Sequence, residues 1–133
     1  MRLSATIASF ALLAAASTSA QPHDGQPFRI FFDWGEPELT RDARATLDEV
    51  AVAYRRLMPN EIGIVGHADR SGSDAVNLAA SRRRAGAART YLAAQGVPAG
   101  AMAISAFGEG RPIVPTEDGV REAQNRRVEI IFR

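Results

Sequence analysis

Apolar and polar positions along residues 28–65 alternate in ways that predict two strands and one helix. Residues 28–32 are aromatic or β-branched apart from Arg29, which is typical of a strand. Residues 39–57 place apolar side chains at steps of three and four, the pattern of a helix with one apolar stripe. Thr40 suits the N-cap of this helix. Residues 62–65 form a second strand-like run.

The same patterns continue through the second half of the chain. Residues 74–95 predict a second helix, because Gly96 suits a left-handed cap after it and Pro98 follows. Residues 102–107 predict a third strand, followed by a loop over residues 108–119 that contains two prolines. A short helical segment is expected at residues 120–124. Apolar and charged residues then alternate over 127–132, which predicts the last strand.

The order β-α-β-α-β-(α)-β predicts an α+β fold. We expect a two-layer α/β sandwich with a four-stranded mixed sheet and the helices on one face. With 133 residues, the chain is long enough for one domain. This domain is expected to span residues 28–133, after a short polar linker at residues 21–27.

Residues 1–20 have the features of a secretory signal peptide. Arg2 gives a positive start, and residues 8–16 form an apolar run that is short for a membrane span. Small residues at 18–20 suit cleavage before Gln21. We therefore expect a periplasmic protein without a transmembrane segment in the mature chain. Association with the outer membrane is an open alternative.

The composition limits which covalent modifications and which binding partners are expected. The sequence contains no cysteine, so disulfides and a lipid-modified cysteine are excluded for this sequence. Removal of residues 1–20 would take away one arginine and no acid, leaving a formally neutral chain. A neutral chain argues against nucleic acid as a partner, since such binding depends on many contacts to phosphates.

The stretch from residue 62 to residue 84 carries the most distinctive chemistry. A strand leads into Asp69, and the following helix carries Asn77, Ser81 and the arginine triplet 82–84. An acid at a strand end thus faces amide, hydroxyl and guanidinium groups. This combination suits a ligand with both a positive and a negative group, because carboxylates accept hydrogen bonds from ammonium groups and arginine forks onto carboxylates.

Four sequence motifs resemble the OmpA-like domain, a peptidoglycan-binding module of outer-membrane proteins, peptidoglycan-associated lipoproteins and flagellar stator proteins. They are FFDWGEPELTRDA, GHADRSGSDAVNLAASRRRA, YLAAQGVP, and FGEGRPIVP followed by AQNRRVEI. The second resembles the family signature GHTD-x-x-G-x(4)-N-x(2)-LS-x(2)-RA. Together the motifs cover nearly all of residues 28–133, and their order adds to their specificity.

The resemblance implies a non-catalytic protein that binds the diaminopimelate side chain of the peptidoglycan stem peptide and anchors or links to the cell wall. In the family, the acid of the signature holds the ligand ammonium, and an arginine fifteen residues later holds its carboxylate. Here those positions are Asp69 and Arg84. Asn77 matches the signature asparagine, and Asp33 matches the acid of the opening loop. No cofactor or metal is implied.

The residues also allow other interpretations. Asp69 could cap a turn, and the arginine triplet could be a solvated helix face. Asn77 could brace the loop, and Asp33 could form a turn. Ala68 and Ala80 replace a threonine and a leucine of the family signature, which favours an envelope interaction protein that has the fold but no ligand.

A hydrolase is a third possibility, with His67 and Asp69 as acid–base or metal groups, although three metal ligands are hard to assemble from this sequence. His67 is more simply explained as a structural residue that holds the loop by a hydrogen bond of its ring. Asn125, Arg126 and Arg127 are expected to brace the site or to pair with acids such as Glu109. Asp69 and Arg84 could also neutralise each other when no ligand is bound. A contact between Trp34 and the ligand stays open.

Overall fold

The computed structural model describes residues 26–133, so the predicted signal peptide and most of the predicted linker lie outside the described residues. Its regular elements follow the predicted order. They are strands β1 (Phe28–Phe31), β2 (Ile62–Gly66), β3 (Met102–Ala106) and β4 (Arg127–Phe132), helices α1 (Arg41–Leu57) and α2 (Asp74–Ala94), and 3₁₀ helices Ala99–Ala101 and Ala123–Asn125.

The four strands form one mixed sheet in the order β1-β4-β2-β3. Strand β4, the last in sequence, lies between β1 and β2 and is antiparallel to both. Strands β2 and β3 are parallel, as expected for strands joined through a helix. The predicted four-stranded mixed sheet is therefore confirmed. Its topology brings the carboxyl end of β2 beside the beginning of β4, where Gly66 is the partner of Val128.

Local sequence signals account for the helix ends. The Thr40 hydroxyl accepts a hydrogen bond from the amide of Ala43, as an N-cap should. Ser73 caps α2 in the same way, through the amide of Val76. Gly96 adopts φ of 95°, the left-handed conformation predicted for it. Caps of this kind typically contribute about 1 kcal/mol each.

Two 3₁₀ helices differ from the prediction. The first, Ala99–Ala101, was not predicted. It forms because Pro98 initiates a turn in which the carbonyl of Pro98 accepts a hydrogen bond from the amide of Ala101. The second was predicted as a helical segment over residues 120–124 but begins at Ala123, where the Glu122 side chain caps the amide of Gln124. The left-handed Gly119, at φ of 82°, belongs to the turn that precedes it.

Both helices pack on the same face of the sheet, which confirms the predicted two-layer α+β architecture. The core lies between the layers and combines aliphatic side chains with the aromatic rings of Phe28, Phe32 and Tyr54. Its largest fully buried aliphatic side chains are Ile30, Leu47, Val50, Ile62, Ile64, Leu92, Val128 and Ile130. Within residues 26–133, no helix combines the length and apolarity needed to cross a bilayer.

The opposite face of the sheet carries a second group of polar residues, called here the sheet-face cluster. Its members are the buried His67 and Arg127, the partly buried Glu129 and the half-exposed Arg29. Arg127 Nε donates to Glu129 Oε1 at 2.8 Å, and its Nη2 donates to the carbonyl of Arg111 at 2.9 Å. The His67 ring stacks on Phe107, with 5.9 Å between ring centroids. This cluster lies beneath the loop that leaves β3.

Candidate functional site

A close approach of α2 to the end of β2 sets the geometry of the site. A Cβ at Gly66 would lie 2.0 Å from the backbone carbonyl oxygen of Ser81, so only glycine fits there. The Ser81 hydroxyl then accepts from the amide of Gly108 at 3.0 Å and donates to the carbonyl of Leu78 at 2.7 Å. The strand end, the helix and the following loop are therefore held together at this point.

Asp69 lies just beyond β2 and is buried, with 3% of its surface exposed. Its Oδ1 accepts from the amide of Ser71 at 3.2 Å and from the Ser71 hydroxyl at 2.6 Å. Its Oδ2 accepts from the amide of Glu122 at 3.1 Å. Burial raises the pKa of Asp69, but the hydrogen bonds of its carboxylate outweigh this and hold the pKa below its ordinary value.

The ion pair of Asp69 is with Arg126 and not with Arg84, the partner that the sequence left open. Arg126 Nη1 donates to Asp69 Oδ2 at 2.9 Å, and both side chains are largely buried. Arg126 Nε also donates to the carbonyl of Phe32 at 3.0 Å, which ties the end of β1 to the site. Arg126 braces the site as expected, but its acidic partner is Asp69, whereas Glu109 forms an ion pair with Arg70 at 3.7 Å.

Arg84 projects from α2 toward the same strand end. Only 4% of its surface is exposed, and its Nη1 donates to the carbonyl of His67 at 3.2 Å. Its Nε has no hydrogen-bond partner among residues 26–133. Burial lowers the pKa of Arg84, and the charge of Asp69 opposes that shift. Asp69, Arg84 and Arg126 are called here the strand-end cluster.

The strand-end cluster carries one carboxylate and two guanidinium groups. Asp69 is paired with Arg126. The buried guanidinium of Arg84 therefore has no ion-pair partner among the described residues. A buried cation of this kind favours a carboxylate ligand, which would supply the missing charge and hydrogen-bond acceptors. A small cavity of about 20 Å³ lies beside it, lined by Gly35, Glu36, Pro37, Ala80, Arg83 and Arg84.

Asn77 is buried and braces the loop between β2 and α2. Its Oδ1 accepts from the amide of Gly72 at 3.2 Å, and its Nδ2 donates to the carbonyl of Gly72 at 2.9 Å. The Nδ2 group also donates to Glu109 Oε2 at 3.1 Å. These bonds match the loop-bracing alternative of the sequence analysis, and a contact between Asn77 and a ligand stays a prediction.

Asp33 and Trp34 lie in the exposed loop after β1. The carbonyl of Asp33 accepts from the amide of Glu36 at 3.3 Å and closes a turn, while its side chain is solvent-exposed. Trp34 Nε1 donates to the Ser71 hydroxyl at 3.2 Å, and that hydroxyl donates to Asp69. Trp34 therefore connects to the strand-end cluster, whereas ligand contact by Asp33 stays a prediction.

His67 belongs to the sheet-face cluster, and neither nitrogen of its ring has a hydrogen-bond partner among residues 26–133. The predicted ring hydrogen bond is therefore wrong, because the buried ring is held by packing. Burial, with further contributions from the charges of Arg127 and Arg111, lowers the pKa of His67 to about 4. Its neutral ring stacks on Phe107, consistent with a structural role. Within residues 26–133, no group of three or more His, Cys, Asp or Glu side chains is arranged to hold a metal ion.

Two arginines have larger roles at the site than the sequence predicted. Arg126 was expected near the site but not as the partner of Asp69, and Arg121 was not considered, although its Cζ lies 3.4 Å from the centre of the Trp34 ring. Both follow from the position of β4 between β1 and β2, which the order of elements along the chain does not reveal. The consecutive arginines 126 and 127 were the available signal, because Arg126 precedes the predicted strand and Arg127 opens it.

The chain is similar to proteins from several bacteria. It is 39% identical over 115 residues to a peptidoglycan-associated lipoprotein of Agrobacterium fabrum, covering 82% of this chain and 65% of the relative. It is 38% identical over 117 residues to an outer membrane protein of Gluconacetobacter diazotrophicus, covering 84% of this chain and 31% of the relative. The chain thus spans slightly less than a third of one of these relatives and slightly less than two thirds of the other.

Solved structures show the same fold. The peptidoglycan-associated lipoprotein of Burkholderia pseudomallei superimposes with a TM-score of 0.72 at 28% identity, covering 79% of this chain and 89% of that one. The C-terminal domain of Helicobacter pylori MotB gives a TM-score of 0.68 at 23% identity, covering 81% and 84%, and this second likeness bears on the fold only.

The model of the OmpA family matches residues 31–126, which include both helices, all of β2 and β3, the strand-end cluster and the loop that carries Arg121. The match confirms the resemblance that the four sequence motifs indicated. This chain belongs to the OmpA family.

Proposed function

We propose that this chain is a non-catalytic peptidoglycan-binding protein of the periplasm, which recognises the zwitterionic end of diaminopimelate in the stem peptide. Asp69 takes the ammonium of the ligand and Arg84 takes its carboxylate. The observation that carries the proposal is the buried guanidinium of Arg84, whose Nε is unpartnered among the described residues and whose Nη1 donates to the carbonyl of His67, two residues before Asp69.

Membership of the OmpA family supports this function, as do the relatives named peptidoglycan-associated lipoprotein. The predicted signal peptide at residues 1–20 agrees with it, because it would deliver the domain to the compartment that contains the cell wall. Association with the outer membrane and contacts with other envelope proteins are compatible extensions of the proposal. One site of this size binds modestly, but a polymer that presents many stems can compensate by multivalency.

A second candidate function is an envelope interaction protein that has kept the fold and lost the ligand. The specific observation in its favour is that Asp69 already accepts four hydrogen bonds within the protein, one of them from a cation. The two candidates differ in whether a ligand ammonium can replace one of these donors.

Binding to purified sacculi and to free meso-diaminopimelate separates the two candidates. We expect wild-type protein to co-sediment with sacculi and Arg84→Gln to lose at least about tenfold in affinity, because charge-assisted hydrogen bonds contribute about 1.5–3 kcal/mol each. Asp69→Asn should lose binding as well. Arg82→Gln is the matched control, because Arg82 belongs to the same triplet but is exposed.

Nuclear magnetic resonance spectra of each variant establish that it is folded before binding is compared. Retention of binding by both Arg84→Gln and Asp69→Asn would reject the site. Failure of the folded wild-type protein to bind sacculi or millimolar diaminopimelate would favour the interaction protein. Release of soluble muropeptides by the pure protein would instead establish a hydrolase.

A further inference from the structure

The carboxylate of Asp69 has no free position for a ligand in this structure. An ionised carboxylate offers about four lone-pair sites. Ser71 fills two of them with its amide and hydroxyl, and the amide of Glu122 and the guanidinium of Arg126 fill the other two. An ammonium ion can reach Asp69 only if one of these donors leaves.

The donors differ in how they reach Asp69. Ser71 is two residues away in the same turn and moves with Asp69. Glu122 and Arg126 come from the distant segment between β3 and β4, which lies over the carboxylate. Opening that segment is therefore the motion that would uncover Asp69 without dismantling its own turn. We call residues 116–122 of that segment the strap.

The strap is held down at two places. Near its beginning, the amide of Gly119 donates to the carbonyl of Arg70 at 2.7 Å, and Arg70 Nη1 donates to the carbonyl of Thr116 at 2.9 Å. At its other end, Arg121 stacks on Trp34, with its Cζ 3.4 Å from the ring centre. Trp34 in turn donates to Ser71, which contacts Asp69.

The Trp34–Arg121 stack is the exposed and replaceable part of this closure. Half of the Trp34 surface is exposed, and Arg121 is exposed as well. Unlike the backbone bonds of Gly119, the stack depends wholly on side chains. Because it joins the loop after β1 to the residue directly before Glu122, it holds the strap where the Glu122 amide can reach Asp69.

We propose that Trp34 and Arg121 form a latch that keeps the strap closed over Asp69 and sets the fraction of molecules open to a ligand ammonium. This inference rests on the proposed function for the identity of the ligand. Apparent affinity is reduced by the fraction of protein in the competent state, so a weaker latch gives tighter apparent binding. Loss of an exposed cation–π contact should change the apparent affinity by about two- to fivefold.

The test compares meso-diaminopimelate binding to wild type, Arg121→Gln and Trp34→Leu. We expect both variants to bind about two to five times more tightly. Arg111→Gln is the matched control, because Arg111 lies in the same loop and stacks on Phe107 at 3.6 Å but does not contact the strand-end cluster. Its affinity should equal that of the wild type. Unchanged or weaker binding by Arg121→Gln overturns the latch, and weaker binding would make Arg121 a ligand contact.

Hydrogen exchange without any ligand separates this inference from the proposed function. In the free protein, the Glu122 amide should exchange about two to five times faster in Arg121→Gln than in wild type, whereas the amide of Ile64 in the core strand β2 should not change. Equal exchange at Glu122 in both proteins would rule out the latch even if diaminopimelate binds. Faster exchange in a protein that binds no diaminopimelate would refute the ligand and leave the closure standing.

Discussion

Two consecutive arginines, Arg126 just before β4 and Arg127 at its first position, enter two different clusters, and the contrast between those clusters bears on which of them holds the proposed ligand. Arg126 joins Asp69 in the strand-end cluster, and Arg127 joins Glu129 in the sheet-face cluster. The two ion pairs are nearly equal in length, at 2.9 and 2.8 Å. The clusters differ in their second arginine, which is half exposed in one cluster and buried in the other.

In the sheet-face cluster, the second arginine is Arg29, whose side chain is 50% exposed and whose Nε lies 3.4 Å from the same Glu129 oxygen. Its charge is solvated, so the cluster needs no further anion. In the strand-end cluster, the second arginine is Arg84, which is buried and has no ion-pair partner among the described residues. Desolvation of that charge is the unfavourable feature that a carboxylate ligand would relieve.

A short ion pair is therefore a poor marker of function in this protein. The more informative feature is the buried cation left without an ion-pair partner among the described residues, because its desolvation is not offset by an opposite charge within that part of the chain. The following predictions test whether the sheet-face cluster serves stability and the strand-end cluster serves binding.

The largest expected effect is the loss of folding stability at acidic pH that follows from the burial of His67. Burial, aided by Arg127 and Arg111, lowers the pKa of His67 to about 4, while Glu129 opposes the shift. The unfolded chain takes up this proton near pH 6.5 and the folded protein near pH 4, so stability decreases as the pH falls between these values. The expected loss is about 3 kcal/mol, measured by urea unfolding at a series of pH values.

His67→Phe provides the control for this pH dependence, because phenylalanine can still stack on Phe107 but cannot be protonated. The variant should lack the loss between pH 6.5 and pH 4, so that its advantage over wild type grows as the pH falls. Asp69 and Glu129, whose pKa values are lowered, remain in both proteins; their contribution is present above the ordinary carboxyl pKa and is lost on further acidification. Parallel pH curves for the two proteins would contradict a buried neutral His67.

The next effect comes from replacing Arg127 by an apolar residue of similar length. Arg127→Met removes the buried partner of Glu129 and the bond to the carbonyl of Arg111. We expect the free energy of unfolding to fall by about 2 kcal/mol, less than for a fully enclosed pair because Arg29 still reaches Glu129. Affinity for diaminopimelate should stay unchanged. A loss of affinity in the folded variant would erase the distinction between the clusters.

The same substitution at the other buried arginine should behave in the opposite way. Arg84→Met removes a desolvated charge, one hydrogen bond to the carbonyl of His67 and a contact with the Phe32 ring at 5.7 Å. These losses and gains offset one another, so the free energy of unfolding should stay within about 1 kcal/mol of wild type. Binding of diaminopimelate should nevertheless be lost. Destabilisation as large as that of Arg127→Met would assign Arg84 a structural role.

The sequence predicted the fold better than the contacts within the site. Periodicity, the Thr40 cap and Gly96 marked the elements because these signals act over a few neighbouring residues. The partner of Asp69 lies 57 positions away in Arg126, and only the place of β4 within the sheet brings the two together. Motif spacing indicated Asp69 and Arg84 as neighbours, but it carried no information on which charge Asp69 neutralises.

The smallest expected effect concerns the exposed arginine of the sheet-face cluster. Arg29→Ala removes a contact of 3.4 Å to Glu129 from a side chain that is half exposed, and exposed ion pairs contribute at most about 1 kcal/mol and commonly less. We expect the free energy of unfolding to change by less than about 0.5 kcal/mol and ligand affinity to stay the same. A loss as large as that of Arg127→Met would mean that Glu129 depends on both arginines. The exposure of Arg29 and the burial of Arg84 would then no longer distinguish the two clusters. The unpaired state of Arg84 would instead have to be explained by its burial on α2.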